Sequence, residues 1–292
     1  MDESTENTQN IENPEPKEPH GAGDSAESVL TSVSRARIMI IANQKGGVGK
    51  TTTAINLATA LAAVGSRVLV LDLDPQGNAS TGLGIPHNRR KKGTYDLLTG
   101  EAKVFDAAIS TDVPGLDVVP STVDLAGIEL ELIDMERREY RLRDALAGGG
   151  GDYDYILVDC PPSLSLLTLN GLVAADAVLV PLQCEFFALE GLTHLLKTIE
   201  RVRQSLNPTL ELQGVVLTMA DTRNNLTNMV ASDVRDFLGS KVYDTIIPRN
   251  VRVSEAPSHG KPVLLYDFKC PGSQAYIQLA REVIKREEAR VA

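Results

Sequence analysis

The segment Ile38–Thr52, Ile-Met-Ile-Ile-Ala-Asn-Gln-Lys-Gly-Gly-Val-Gly-Lys-Thr-Thr, constrains this chain more than any other. An apolar strand runs into a glycine-rich turn and then into a helix-forming stretch. Glycine lets the backbone curl until several N–H groups converge on one anion, and the following helix N-terminus adds its partial positive charge. In such a loop Lys50 reaches the β- and γ-phosphates of a nucleotide and the Thr51 hydroxyl reaches a magnesium ion. The general pattern has glycine five residues before Gly49; here Gln44 stands there, and a second lysine, Lys45, opens the loop. The string K-G-G-x-G-K-T-T is much more specific than a bare phosphate-loop match. A dinucleotide-binding reading fails, because Gly47-Val48-Gly49 needs a third glycine where Thr52 stands.

The pattern beyond this loop says what the loop is mounted on. Apolar runs predict strands at 37–42, 67–73, 116–119, 155–159, 177–182, 213–218 and 243–247. They are continuous and rich in Val, Leu and Ile, as strands covered on both faces are. Helical stretches are expected between them, at about 50–64, 123–147, 164–174, 188–205, 225–238 and 273–290. Such alternation predicts a single-domain α/β fold, doubly wound, with a mostly parallel sheet and helices on both faces. Gly148–Gly151 reads as a flexible joint before a strand.

Composition limits the partners. No run of about 18 apolar residues predicts a membrane-spanning helix. No basic-then-apolar leader opens the chain, so a cytoplasmic protein is expected. Three widely spaced cysteines, Cys160, Cys184 and Cys270, suit free buried thiols better than a disulfide framework. Tryptophan is absent and aromatics are 4% of residues, which argues against stacking on single-stranded bases. The net charge of −10 is concentrated. Residues 1–34 hold eight acids and one base, Lys17; removing their −7 from −10 leaves −3 for the rest. That leader has almost no apolar period and reads as a disordered acidic tail, with the folded domain spanning 35–292. The domain is only mildly acidic, so local basic patches remain open to nucleic acid.

In a doubly wound sheet, ligands lie beyond the carboxyl ends of the strands. The second strand ends in Leu71-Asp72-Leu73-Asp74-Pro75-Gln76-Gly77-Asn78. Asp74 is placed to orient or deprotonate a water attacking a γ-phosphate. Another strand ends in Val158-Asp159-Cys160-Pro161-Pro162, where an aspartate after four apolar residues suits magnesium, directly or through water. A thiol is a poor magnesium ligand, so Cys160 reads as packing.

These segments together resemble the ParA/Soj partition ATPases, within the deviant-Walker phosphate-loop group that includes MinD. The resemblance also runs through Pro181–Gly191 and through Ile247–Pro257, and covers about residues 36–290. The wording is closest to chromosomal members from alphaproteobacteria. The resemblance implies a magnesium-dependent ATPase whose ATP state is a homodimer clamping two nucleotides. Lys45 would reach the partner's phosphates, as an arginine finger does in trans. Gly46 and Gly47 would be small so that two loops can face each other. Lys45, Lys50 and Asp74 would be catalytic. Lys45, Gly46, Gly47, Val48, Gly49, Lys50, Thr51 and Thr52 would cradle the phosphates. Met219, Pro248, Arg249 and Asn250 would border the base and ribose, and Thr51, Asp74 and Asp159 would serve the metal. It further implies sequence-blind binding of double-stranded DNA by the dimer, a nucleoid location, and slow hydrolysis stimulated by a ParB-like partner. Arg223, Arg249 and Arg252 are the expected DNA contacts, with Arg235, Lys261 and Lys269 behind them. Arg89-Arg90-Lys91-Lys92 is expected to be an exposed loop or a second DNA contact.

Three other functions compete with this one. A MinD-like membrane ATPase would need an amphipathic C-terminal helix with bulky apolar residues opposite lysines; the end here shows apolar spacing but carries Glu282, Glu287 and Glu288, and its apolar face suits docking on the sheet. An electron-transfer ATPase like the nitrogenase iron protein would need paired cysteines near a dimer axis. A nucleotide-dependent scaffold without hydrolysis would not need every phosphate-handling residue.

Overall fold

The computed structural model describes residues 35–291 apart from Gly151, Phe186 and Thr222. The acidic segment 1–34 lies outside the described residues. Eight strands form one sheet: β1 (Arg37–Ile41), β2 (Val68–Asp72), β3 (Ile109–Ser110), β4 (Leu116–Val119), β5 (Tyr155–Asp159), β6 (Ala177–Gln183), β7 (Glu211–Ala220) and β8 (Val242–Pro248). Their order is β3-β4-β2-β5-β1-β6-β7-β8. Every pairing is parallel except the short β3 against β4.

The helices are α1 (Lys50–Ala63), α2 (Asn78–Gly82), α3 (Thr94–Thr99), α4 (Val104–Ala107), α5 (Ile128–Leu132), α6 (Arg141–Ala147), α7 (Leu166–Ala174), α8 (Ala188–Ser205), α9 (Asn225–Leu238), α10 (Val251–Glu255), α11 (Val263–Tyr266) and α12 (Pro271–Val291). Strand residues alternate between two cores, as the pleat requires. Ile38, Ile40, Leu69, Leu71, Ile156 and Val158 face helices α3, α6, α7, α8 and α9. Met39, Ile41, Val68, Val70 and Leu157 face α1 and α12. Both faces are therefore covered, which is why the strands read as unbroken apolar runs.

The expected 123–147 helix does not form as one piece. A 3-10 turn, α5, a second 3-10 turn and α6 share that span. Arg137 sits at φ +54°, a left-handed conformation that breaks the helix there, and its guanidinium grips Asp144 at 3.1 Å. The glycines before β5 are not a loose joint where described. A Cβ on Gly149 would lie 3.2 Å from Val104, and one on Gly150 3.1 Å from Ile156, so close packing calls for glycine. Helices α2, α3, α4, α10 and α11, and strand β3, are too short for sequence periodicity to reveal.

Helix α12 is amphipathic, and its apolar side is used. Tyr276, Leu279, Ala280 and Val283 are buried against the sheet. Its Glu282 caps the exposed edge of β8, accepting from the Thr245 N–H at 2.8 Å and the Asp244 N–H at 3.0 Å. No helix among the described residues is long and apolar enough to cross a membrane.

Candidate functional site

The strand order sets β1 beside β5, and β5 beside β2, so three chain segments deliver their ends to one place. Asp72 and Asp159 pair directly across β2 and β5, and Ile41 pairs with Asp159 across β1 and β5. The glycine loop follows β1. Gly47 (φ +75°) and Gly49 (φ +92°) are left-handed, which only glycine adopts without strain. A Cβ on Gly46 or Gly47 would meet nothing within 4 Å, so the loop faces open space. Asn43 ties the loop to β6: its amide donates to the Pro181 carbonyl at 2.8 Å, and its side-chain oxygen accepts from the Lys45 N–H at 3.0 Å. From the other side, the Thr218 hydroxyl donates to the Val48 carbonyl at 2.8 Å.

Lys50 starts α1 and folds back over the loop, donating to the Lys45 carbonyl at 3.1 Å. Burial lowers its pKa, while the charges at Asp159 and Asp74 pull the other way. Lys45 leaves the loop and pairs with Glu185, just past β6; both side chains are close to half exposed. Thr51 and Thr52 lie in the first turn of α1.

The carboxylates are held differently from one another. Asp72 is fully buried, accepting from the Ser80 N–H at 2.8 Å and the Ser80 hydroxyl at 2.6 Å. Burial, with Asp74 adding to it, pushes its pKa up to about 6. Asp159 is also fully buried; its carboxylate oxygens make no hydrogen bond of good geometry among the described residues, and only the Thr51 hydroxyl and the charge of Lys50 act to hold its charged form. Its pKa is raised well above the usual carboxylate range, by burial first and then by Asp72 and Asp74, against the opposing pull of Thr51 and Lys50. Asp74 is 7% exposed and accepts from the Gln76 N–H at 2.9 Å, an Asx turn that fixes the strand end. An unsatisfied buried carboxylate is costly unless a ligand completes it. Three acids with Lys50 buried among them fit a divalent cation and the phosphates it bridges. No group of three or more His, Cys, Asp or Glu side chains forms a metal cage among the described residues. Magnesium needs none, since it commonly takes one or two protein ligands plus phosphate oxygens and water.

Beside the loop, a cavity of about 180 Å³ opens between β7, β8 and α10. Gly49, Thr52, Met219, Pro248, Arg249 and Asn250 all line it, as do Thr218, Ser254 and Tyr276, for which periodicity offered no signal. Met219 is held at φ +50°, a strained conformation for a side chain of its size. Asn250 caps α10, accepting from the Arg252 N–H at 2.9 Å. A cavity lined by Met219, Ile247, Pro248 and Val253 on one hand and Thr52, Asn250 and Ser254 on the other offers apolar contact and hydrogen bonds to a base.

The arginines on the neighbouring surface are engaged within the chain. Arg223 grips Asp221 with two bonds of 2.8 Å, and this pulls the Asp221 carboxyl down to about 2. Arg252 pairs with Glu255 at 3.0 Å and lies 3.6 Å from Asp267. Arg249 lines the cavity, and its N–H donates to the Ala220 carbonyl at 3.0 Å. Lys261 and Lys269 are exposed, and Arg235 is half-buried. The basic run 89–92 is not uniformly exposed as expected: Arg89, Lys91 and Lys92 are, but Arg90 is buried. Asp72, Glu185 and Asn43 are the site residues that sequence reasoning passed over. The second carboxylate of Asp72-Leu73-Asp74 was the available signal for the first of them.

Cys160 is fully buried behind Asp159, and its thiol is raised well above its usual pKa by burial and by Asp159. It packs as expected, and all three cysteines are free and buried.

Known proteins agree with this geometry. A family model described as an AAA domain matches residues 36–212. The chromosome partitioning protein ParA of Caulobacter vibrioides is 67% identical over 263 residues, covering 89% of this chain and 98% of that protein. The sporulation initiation inhibitor protein Soj of Bacillus subtilis is 53% identical over 247 residues, covering 85% of this chain and 98% of Soj. The crystal structure of a cobyrinic acid a,c-diamide synthase from Mycobacterium smegmatis, with a bound ATP analogue and magnesium, superposes with a TM-score of 0.76 at 39% identity. It covers 87% of this chain and 96% of that one. The loop variant, the strand-end carboxylates and these matches together establish that the chain belongs to the ParA/Soj family of chromosome-partitioning ATPases.

Proposed function

We propose that this ATPase works as a nucleotide-driven switch, in which the ATP-bound form is a dimer that holds DNA and hydrolysis releases it. The observation that carries the reading is the group of three buried carboxylates, with only Lys50 as a buried cation among them, beside an open glycine loop. Magnesium and ATP fit there. The loop N–H groups of residues 46–52 and Lys50 would hold the phosphates, Thr51 and Asp159 the metal, and Asp74 the metal's water shell. When bound, the metal neutralises charge on the phosphates and polarises them for attack. Asp74 orients the attacking water, and Lys50 offsets charge on the transferring phosphoryl group. The cavity beside Met219, Pro248, Arg249 and Asn250 takes the base. The activity is assigned to residues 35–292, with 1–34 as a separate acidic segment.

Lys45 is the residue of the switch. In a single chain it rests on Glu185, a half-exposed pair that screening keeps weak. In the dimer it exchanges Glu185 for the partner's phosphates, so only the paired state completes the site. Hydrolysis by one chain is then slow, and a ParB-like partner accelerates it. Arg223, Arg249 and Arg252, doubled by dimerisation, contact DNA phosphates on the nucleoid. The buried apolar side of α12 speaks against the MinD-like membrane alternative. The Mycobacterium protein, named as a diamide synthase, is 39% identical, whereas ParA and Soj reach 67% and 53% over nearly their whole length. The partition reading therefore rests on the nearer relatives.

The test is DNA retention with ATP, with ADP and without nucleotide, across a salt series. Retention only with ATP is expected, its logarithm falling with log salt at about −0.9 per phosphate contacted. Equal retention in all three states would overturn the switch.

A further inference from the structure

Arg90 differs from its basic neighbours in being 8% exposed, and the Asp72 charge acts on it without a direct hydrogen bond. Every donor of its guanidinium meets a neutral oxygen. Nε and Nη2 donate to the Ile85 carbonyl at 3.0 and 2.8 Å, and Nη2 donates also to the Thr81 hydroxyl at 2.8 Å. Nη1 reaches the carbonyls of Gly77 and Ser121, each at 3.4 Å. A guanidinium buried among neutral oxygens, with the Asp72 charge acting on it but no direct ion pair among the described residues, is costly, so a general packing role is a poor account of it.

What it ties together is the turn that carries Asp74. Gly77 lies in the turn after Asp74, Thr81 in helix α2 and Ile85 in the loop that follows it, and Ser121 follows β4. The Gly77 N–H donates to the Asp74 carbonyl at 2.9 Å. Gly77 is left-handed (φ +64°), and a Cβ there would sit 2.6 Å from Nη1, so glycine at this position admits the guanidinium. Ser80 closes the ring: it donates to Asp72 and accepts from the Ser121 N–H at 3.0 Å. The stretch from Asp72 to Ile85 is thus locked to Arg90 and to Ser121, with the positive charge of Arg90 acting on Asp72.

We propose that Arg90 is a positioning residue for hydrolysis, whose planar fork holds the turn after Asp74 against the end of β4 so that Asp74 meets the attacking water. This rests on the reading of Asp74 as the residue that orients water. A misplacement on the order of 1 Å costs about 100-fold in rate.

The test compares Arg90→Met, Arg90→Lys, Asp74→Ala and the Asp74→Ala/Arg90→Met double variant in the full chain. Steady-state hydrolysis, ATP-analogue affinity and thermal unfolding are read for each. Arg90→Met is expected to lower kcat about 10- to 100-fold with analogue affinity nearly unchanged. Arg90→Lys, which keeps the charge but not the fork, should recover part of that loss. On the Asp74→Ala background, Arg90→Met should lower kcat no further. A normal kcat in Arg90→Met with Asp74→Ala inactive overturns the role of Arg90. So does a loss of rate that tracks analogue affinity and melting temperature together. If Arg90→Met does not fold, Thr81→Val, which removes one acceptor of the fork, must lower kcat at unchanged affinity or the inference falls. Wild-type turnover by Asp74→Ala would instead overturn the reading of Asp74 itself.

Discussion

Two sets of carboxylates on this molecule meet opposite electrostatic circumstances. Asp72, Asp74 and Asp159 are buried at the ends of β2 and β5 with Lys50 among them, and burial pushes Asp72 and Asp159 toward their protonated forms. Asp221, Glu255 and Asp267 are partly exposed, each lies against an arginine, and Asp221 is held down to about 2. The first set is incomplete without an outside cation; the second is already neutralised from within. A charge that the fold leaves unpaired points to a ligand. A charge that the fold has cancelled says nothing of one, and Arg223 and Arg252 on the proposed DNA face are such charges.

The comparison breaks most sharply at Lys50. As the lysine buried with the first set, it should leave the phosphates without their main counter-charge when removed. Lys50→Ala is expected to weaken ATP binding at least ~100-fold, about 2.7 kcal/mol, by titration calorimetry; near-normal affinity would mean that the carboxylates serve something other than nucleotide.

The next effect lies in pH and stability. Asp72 and Asp159 hold their protons to higher pH when folded than when unfolded. The folded state therefore binds more protons in that window, and stability of the nucleotide-free protein falls as pH rises through it. For Asp72 the window runs from the ordinary carboxylate value to about 6. Asp159→Asn should raise the Tm of the nucleotide-free protein near neutral pH, by about 2–4 °C for each kcal/mol of repulsion relieved, and should flatten the pH slope. A lower Tm with an unchanged slope would mean that the buried carboxylate already has a partner in solution.

The smallest effect belongs to the second set. Asp221→Asn frees the Arg223 fork without removing it. DNA retention with ATP should rise a few-fold at fixed salt, and Arg223→Glu should reduce it. No change in either variant would remove Arg223 from the DNA face.

Seven of the sheet's eight strands were legible to within two residues at each end, because burial on both faces makes each an uninterrupted apolar run; the two-residue β3 was not. Helices α8 and α9 were legible from their 3.6-residue periodicity, with bounds 188–205 and 225–238 as expected. The region 123–147 was misread, since Arg137 takes a left-handed conformation that its residue type does not advertise. Within the site, glycine spacing and strand-end aspartates announced the phosphate loop, Asp74 and Asp159. Asp72, Glu185 and Arg90 were not announced: the first was overshadowed by its neighbour, and the other two act across contacts distant in sequence or hidden in a charged run.

Sequence by itself determined the cradle and the alternating fold, because both depend on local rules: glycine's freedom at positive φ and the apolar period of strands and helices. Which charges are cancelled depends instead on how distant segments pack. Arg90 is buried among carbonyls while Arg89 beside it meets water, and Asp159 is buried with no ion pair among the described residues while Asp221 is paired with Arg223. Pairing depends on which side chains the fold brings within a few ångströms, and no local pattern encodes that distance.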